Sequence, residues 1–369
     1  MYLITFATAF ISLFGYTGSS CTFPTELTGD WISSHKGEIT FSNESTHVYN
    51  YPMYMSATVN ALNFSCDQQS GRKYLLKSVG AVEAFSSYID AYVCIELYRV
   101  SAYKFYYYIG TAESSTNSDY VYGRVNGTVV DITEACNRAE PYEDSTFVTL
   151  VKSGAVDSGK ADATCPDDLL ASYTNITYTD HAGASACSGN SENGCSNKVL
   201  MTYTYESCTS GSVFSANGSF HCIHSLTSGS TTYLSVWNDD VTVDDSSTYR
   251  FTCLAFKKEG TTIYATEYPR FCKDTTQSST TVASPGIVVV FESRSTTCVL
   301  TETAISSGWW IALIVILVLV VVGGVLVGVI LMKKHKNKIN MLASYQFTSN
   351  MEIKSREQDT SKPDVNSSE

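Results

Sequence analysis

All 12 cysteines of the chain lie between Cys21 and Cys298, and the segments on either side contain none. An even number of cysteines confined to one region is typical of disulfides formed in an oxidising compartment. Such cross-links restrict the fold, because each one makes neighbours of two distant parts of the chain. The residues predicted to form disulfides are Cys21, Cys66, Cys94, Cys136, Cys165, Cys187, Cys195, Cys208, Cys222, Cys253, Cys272 and Cys298.

The low-complexity segment 152–164 separates the cysteines into two even groups, four before it and eight after it. This division predicts disulfides that close within two domains and leave no free thiol. Several pairings are possible in each group, so the sequence leaves the connectivity open. Cys272 is the cysteine nearest to Cys298 in sequence, and an apolar strand at residues 287–291 could bring the two together, but no pairing is chosen.

Apolar segments flank the cysteine region on both sides. Residues 1–20 carry no charge and end in small residues before Cys21, which predicts a signal peptide. Residues 309–332 are also uncharged, and a helix of that length reaches about 36 Å, enough to cross a hydrocarbon core of ~30 Å. Lys333 and Lys334 follow directly, and basic residues stay on the cytoplasmic side. We therefore predict a single-pass type I protein of the plasma membrane, with its N-terminus extracellular.

Two kinds of short motif agree with this topology. Gly324 and Gly328 form a G-x-x-x-G pattern in the predicted span, which predicts a weak homodimer through close helix packing. N-x-Ser/Thr triplets predict N-glycosylation of the extracellular region at Asn43, Asn63, Asn126, Asn175 and Asn217.

The charge of the chain restricts its partners. The net charge is −12 and the segment after residue 332 contributes +2, so the predicted extracellular region holds −14. Such a surface repels nucleic acids and anionic glycans. We therefore expect no nucleic acid partner, and the sequence does not identify the extracellular protein or small apolar ligand that would bind.

Stretches rich in Tyr, Thr and Val predict half-buried strands, and Gly- and Ser-rich turns separate them. The predicted fold is mainly β: two disulfide-bonded antiparallel β domains, each a lipocalin-like barrel or a sandwich, plus one transmembrane helix and a disordered tail. The predicted boundaries are 1–20 for the signal peptide, 21–150 for the first domain, 151–164 for the linker, 165–298 for the second domain with the start of a stalk, 299–308 for the juxtamembrane segment, 309–332 for the span and 333–369 for the cytoplasmic tail.

Gly29 and Trp31 stand at the entrance to the first predicted strand. In lipocalin-like barrels a Trp at this place closes one end of the barrel, and a Gly lets the backbone bend around it. The alternative is that Trp31 is an ordinary core residue, which would suit a barrel and a sandwich equally.

The string C-x-F-P-x-x-L-x-G-x-W, which runs from Cys21 to Trp31, resembles the first domain of an uncharacterised invertebrate family of single-pass membrane proteins. Members of that family carry tandem cysteine-spaced extracellular domains of unknown function. The second half is similar to the family's other module, which begins at Cys165 and continues through further cysteines and Trp237 to Cys253. Ala171 and Ser172 stand where that module usually has a Gly. The resemblance implies an architecture and a membrane setting, and it implies no activity.

An immunoglobulin-like sandwich is the alternative for the second domain, because Cys222, Trp237 and Cys253 occur in the order typical of that fold. The two cysteines are, however, too close together for the strands that should lie between them, and Tyr249 lies too far before Cys253.

The sequence shows no pattern of an active site. His221 and His224 lack the helical spacing of zinc hydrolases, and the acidic cluster from Asp239 to Asp245 lacks the spacing of a calcium-binding loop. A nucleophile elbow and a Gly-rich phosphate loop are also missing. We therefore predict no enzymatic activity, no cofactor and no metal.

Two hypotheses of function remain. The first is a non-catalytic recognition, adhesion or receptor protein at the cell surface. The alternative is a membrane-tethered carrier of a small apolar ligand in a lipocalin-like barrel, which a cavity of several hundred Å³ in the first domain would favour.

Overall fold

The computed structural model of the chain describes residues 21–56, 59–84, 87–116, 118–205, 215, 217–240, 243, 249–272, 276–298, 315–336 and 338. As predicted, the fold is mainly β, with two closed eight-stranded antiparallel barrels. A long apolar helix, Val315–Lys336, is long enough to cross a membrane. The predicted signal peptide, the juxtamembrane segment and most of the tail lie outside the described residues.

The first barrel is built from the strands that precede residue 153. They are β1 Gly29–Ser33, β2 Gly37–Phe41, β3 His47–Ser56, β4 Val59–Ser70, β5 Lys73–Ser78, β6 Val82–Ala84, β7 Ser87–Ser101, β8 Lys104–Ile109, β9 Tyr122–Val125 and β10 Val148–Lys152. The order around the barrel is β5-β4-β3-β2-β1-β10-β8-β7, and pairing of β7 with β5 closes it. The short strands β6 and β9 pair with the first half of β7 outside the barrel.

Short helices lie beside this barrel. A 3₁₀ turn, Thr25–Leu27, precedes β1, and a second one, Asp144–Thr146, precedes β10. The helix α1, Ile132–Ala135, begins after Asp131, whose carboxylate accepts a hydrogen bond from the Thr133 backbone N–H as a helix cap does.

Trp31 occupies the interior of the first barrel. Its side chain has no exposed surface, its indole N–H donates to the carbonyl oxygen of Leu27 at 2.7 Å, and its ring meets the edge of Phe105 at 5.5 Å between centroids. Gly29 has a φ of +97°, which residues with a Cβ rarely adopt, so glycine permits the bend that leads the chain into β1.

The second barrel is an up-and-down meander in which each strand pairs with the next. Its strands are β11 Ala171–Asp180, β12 Ser185–Asn193, β13 Leu200–Thr204, β14 Ser219–Ser228, β15 Thr231–Asn238, β16 Phe251–Glu259, β17 Thr262–Pro269 and β18 Ile287–Thr297. Pairing of β18 with both β17 and β11 closes the barrel. The apolar segment 287–291 thus returns to the second domain as a strand, as its composition predicts.

Each of the five described disulfides closes within one barrel domain. They join Cys21 to Cys66, Cys94 to Cys136, Cys165 to Cys222, Cys195 to Cys298 and Cys253 to Cys272. The side chain of Cys187 and all of Cys208 lie outside the described residues.

The structure settles two alternatives that the sequence left open for the second domain. Cys298 bonds to Cys195 and not to Cys272, because β18 pairs along β11 and its end reaches the turn after β12. The immunoglobulin-like sandwich is excluded by the closed barrel, in which Cys222 and Cys253 have separate partners.

Candidate functional site

The two barrels meet around the ammonium group of Lys104, at the start of β8. Its Nζ donates hydrogen bonds to the carbonyl oxygens of Ala161, at 2.9 Å, and Ile223 in β14, at 2.5 Å. Burial lowers the pKa of Lys104 to about 8, although the charge of Asp162 acts in the opposite direction. At neutral pH the side chain is therefore still mostly a cation, and its hydrogen bonds to the two carbonyls are charge-assisted.

Aromatic rings continue this contact. The imidazole of His224 stacks on Tyr106, with 4.6 Å between centroids, and meets the edge of Phe147 at 5.3 Å. Burial lowers the pKa of His224 to about 4, and the charge of Lys104 acts in the same direction. A neutral ring at physiological pH contributes flat apolar surface to the interface.

The segment between β10 and β11 packs against both barrels. Ala155, Val156 and Ala161 share one buried apolar cluster with Trp237 and Phe251 of the second barrel, and Ile32 of β1 packs against it. Both barrels belong to one compact unit that ends at Cys298. The space that remains between them is therefore largely preformed.

A cleft of about 760 Å³ opens between the barrels. The turn between β1 and β2 contributes His35 and Lys36, and the second barrel contributes Trp237, Arg250 and Arg270. Ligand sites commonly have volumes of roughly 300–1,000 Å³ and often lie at domain interfaces. Position and size make this cleft the candidate binding site.

Lys36 is a buried cation on the first-barrel side of the cleft. Its Nζ lies 2.6 Å from Oδ1 of Asp119 and 5.2 Å from the ring centre of Tyr51. Burial lowers the pKa of Lys36, Asp119 counteracts this effect, and Arg270 adds to it. Lys36 and Arg270 both line the cleft.

The second-barrel side carries two guanidinium groups in different settings. Arg250 lies 4.9 Å above the ring of Trp237 and donates to the carbonyl oxygens of Asn238 and Asp240 at 2.7 and 3.2 Å. Arg270 is exposed and forms no ion pair with any described residue. An exposed guanidinium beside an aromatic wall can bind a carboxylate with two parallel hydrogen bonds.

The interior of the first barrel offers far less room. Between Ile39, Tyr51, Ile95, Tyr107 and their neighbours, a cavity of only about 10 Å³ remains, which is the space one water molecule needs. Close packing of large side chains fills this part of the barrel.

The residues singled out in the sequence do not converge on one site. Trp31 lies in the core of the first barrel. The two histidines have different partners: Nδ1 of His221 lies 2.9 Å from Asp162, whereas the ring of His224 stacks on Tyr106. Among the described residues no cluster of His, Cys, Asp and Glu could hold a metal. Asp244 and Asp245 of the acidic cluster lie outside the described residues. A Cβ added at Gly324 or Gly328 would meet no atom within 4 Å, so that helix face is open.

Sequence reasoning named Trp237 and His224 for other reasons, and it did not find the cationic residues of the cleft and of the interface. Lys36, Lys104 and Arg270 belong to no motif, and they come from turns and strand ends far apart in the chain. Only the docking of the two barrels brings them together.

Fold and helix together define a class of protein: a membrane-associated chain with a disulfide-bonded ectodomain of two β-barrels. Residues 161–285, about a third of the chain, match the family model of a domain of unknown function (DUF7042). The match covers β11 to β17 and agrees with the resemblance of the second half to an uncharacterised cysteine-containing module. No curated protein and no solved structure shows significant similarity to the chain. The resemblance of the first domain stays a prediction.

Proposed function

We propose that the chain is a non-catalytic recognition protein of the cell surface, a receptor or adhesion molecule, that binds an acidic group of an extracellular protein partner in the cleft between its barrels. The observation that carries this proposal is the cleft of about 760 Å³ between two barrels that share a hydrophobic cluster. A preformed site costs little ordering entropy when a partner binds.

The chemistry of the cleft supports an acidic group on the partner. Arg270 offers an exposed guanidinium and Trp237 supplies an aromatic wall, and Glu38 and Asp157 line the cleft beside them. Arg and Trp are the residue types that most often dominate the energy of protein–protein interfaces. Because the predicted extracellular region is acidic, long-range attraction is weak, and recognition depends on this local cationic group.

The topology is part of the proposal. A signal peptide, glycosylated barrels outside the plasma membrane and a cytoplasmic tail would present the cleft to other cells or to secreted proteins.

The open Gly324 and Gly328 face would support a weak dimer. Replacing both glycines with Ile should abolish a dimer signal in a membrane-association assay, and Gly323→Ile should not.

The cleft can be tested by charge reversal in the full-length chain. Cells that display the wild type, Arg270→Glu or Arg72→Glu would be incubated with extracts of the source tissue, and bound proteins would be identified by mass spectrometry. Arg72 is another exposed arginine, which lies outside the cleft and is paired with Glu96. We expect one set of proteins to bind the wild type and Arg72→Glu and to be lost from Arg270→Glu. The same bound set for all three would contradict the proposal.

Carriage of a small apolar ligand in the first barrel is the alternative. The cavity of about 10 Å³ gives little support to it, because such a ligand needs several hundred Å³. Organic extraction of the purified chain would detect a bound lipid, which would favour the carrier.

A further inference from the structure

Two acidic residues of the second barrel differ from the other buried Asp, Glu and Lys residues in the described part of the chain. Of seven buried charged residues, five have interaction partners. The seven are Lys36, Asp90, Lys104, Asp119, Glu192, Asp240 and Glu267. The two without any partner, Glu192 and Glu267, both belong to the second barrel.

The carboxyl groups of Glu192 and Glu267 are fully enclosed. Glu192 is 2% exposed and Glu267 is 0% exposed, and neither oxygen of either group has a hydrogen-bond partner among the described residues. An unpaired buried carboxyl costs several kcal/mol, so native proteins rarely keep one without a compensating function.

Strand register directs both side chains into the barrel. In β17 the inward positions are Ile263, Ala265 and Glu267, and Glu267 lies opposite Leu254 of the core. Glu192 lies opposite Tyr173 on β11 and opposite Tyr203 on β13, and both tyrosines are core residues. Directly opposed residues of antiparallel strands face the same side of a sheet.

Tyrosines connect the two carboxyls. Tyr178 and Tyr203 both lie within electrostatic reach of Glu192 and of Glu267. The hydroxyl of Tyr203 is buried and has no hydrogen-bond partner among the described residues. Phe220 and Phe291 pack on the ring of Tyr203, at 5.6 and 6.4 Å between centroids. Aromatic faces and unpaired acceptors therefore share one interior.

We propose that the second barrel binds a small organic cation, an ammonium group on an apolar or aromatic body, with Glu192 and Glu267 as its acceptors. Eight-stranded barrels can hold one small ligand. This site is separate from the cleft and does not depend on the proposed function.

The hydrogen-bond acceptors and aromatic rings of this interior favour a cation over other ligands. Both unpaired carboxyls accept hydrogen bonds, and the negative faces of Tyr178, Tyr203 and Phe291 attract an ammonium group. A metal ion is disfavoured because no described group of three His, Cys, Asp or Glu residues could hold one. Arg294 lies opposite Tyr173, but Glu267 lies opposite Leu254 and Ile287, so an anion would find a cation at one end of the site and none opposite Glu267.

Binding should release a proton. Burial raises the pKa of both Glu192 and Glu267 well above the usual range, so both are neutral acids without ligand. The titratable groups around them are Tyr173, Tyr178, Tyr203 and Tyr205, whose pKa values are also raised, so their hydroxyls stay neutral. The charge of Arg294 lowers the pKa of Tyr173, and the charge of Asp168 raises it. When R–NH₃⁺ enters, one carboxylic acid becomes a carboxylate and its proton passes to solvent.

The test is calorimetry on the full-length chain in lipid nanodiscs, with chain-free nanodiscs as the blank. The probe is phenethylamine, and 2-phenylethanol, which is neutral and of similar shape, is its control. We expect phenethylamine to bind at least tenfold more tightly than the alcohol. Its affinity should rise nearly tenfold per pH unit between pH 5 and 7, and buffers of different ionisation enthalpy should report about one proton released.

Variants provide the second half of the test. Glu192→Gln and Glu267→Gln should each lower the affinity for phenethylamine at least tenfold. Glu259 is an exposed carboxyl of the same barrel, and Glu259→Gln should change this affinity less than twofold. Should a Gln variant fail to fold, the pH slope and proton release of the wild type decide. Equal binding of the alcohol, no amine binding, or an affinity independent of pH would overturn the proposal. Arg270→Glu should leave amine binding unchanged, so a failure here is distinguishable from a failure of the cleft.

Discussion

Lys104 shows how one residue can couple two domains. Lys104 belongs to a strand of the first barrel. The two carbonyl oxygens that its ammonium group contacts belong to Ala161 and Ile223, which come after the first barrel in the chain. The hydrogen bonds of charged groups contribute more than those of neutral groups, and removal of the donor leaves buried acceptors unsatisfied. This residue should therefore contribute to stability through the interface.

We predict that Lys104→Met lowers the free energy of unfolding by about 2–4 kcal/mol, since methionine keeps the apolar stem but leaves the oxygens of Ala161 and Ile223 without a donor. Urea denaturation of the full-length chain measures the change. Lys257→Met, which removes a partly exposed ion pair with Glu259, should cost less than about 1 kcal/mol. Equal effects of the two variants would assign no special role to Lys104.

Glu192 and Glu267 predict an unusual pH dependence of stability. Their folded-state pKa values are raised, so below about pH 4.5 both states are protonated and stability is unaffected. As pH rises further, the unfolded state releases protons while the folded state retains them. Each carboxyl then lowers stability by about 1.4 kcal/mol per pH unit until its folded pKa is reached.

The comparison of wild type with Glu267→Gln isolates this effect, because His224, with a pKa lowered to about 4, changes stability with pH in the opposite direction in both proteins. The variant should gain stability relative to the wild type as pH rises from 5 to 7, measured by thermal unfolding. A constant difference between the two would show that Glu267 does not titrate abnormally.

At the scale of elements, β18 decides the architecture of the second domain. It pairs with β11 and β17, and without it the meander would have two free edges. The disulfide from Cys195 to Cys298 fixes its far end. Val289 and Phe291 place their side chains in the core of the barrel, whereas the side chain of Val288 faces the opposite side of the sheet.

Phe291→Ala should therefore cost about 3–5 kcal/mol, because it removes a fully buried ring that contacts Tyr173 at 5.5 Å. Val288→Ala, on the same strand but outside the core cluster, should cost clearly less. Denaturant unfolding with the disulfides intact measures both. Similar costs would mean that the segment does not form the strand described here.

The apolar pattern of residues 287–291 was sufficient to predict this strand, but not its neighbours. Composition and alternation are local properties, so they indicate that a segment is a strand with a buried face. The identity of the paired strands depends on closure of the whole barrel. For this reason the sequence left the partner of Cys298 open, with Cys272 as one possibility, whereas barrel closure places Cys298 beside Cys195.

At the scale of the whole molecule, two barrels with separate cores act as one compact unit. The cluster around Val156 and Phe251 and the contacts of Lys104 and His224 join them. A binding site between two such bodies keeps its shape without ligand, which suits recognition of a protein surface.

Glycosylation tests the predicted orientation of this unit. Asn43, Asn63, Asn126 and Asn217 are exposed, whereas the Nδ2 of Asn175 donates to Glu292 at 2.9 Å. N-glycosidase treatment of the chain from animal cells should lower the apparent mass by several kilodaltons, and peptide mapping should find the lowest occupancy at Asn175. The absence of any shift would contradict an extracellular location of the barrels.

The sequence by itself determined the class of fold, the confinement of disulfides to two groups and the apolar helix. These properties follow from composition, alternation and cysteine number, each of which acts within a short window of the chain. The tertiary structure alone decided barrel over sandwich, the partner of Cys298, the cleft at Arg270 and the facing of Glu192 and Glu267 into one interior. Each of these depends on which distant segments become neighbours, and that is settled by closure of the strands and by docking of the two barrels.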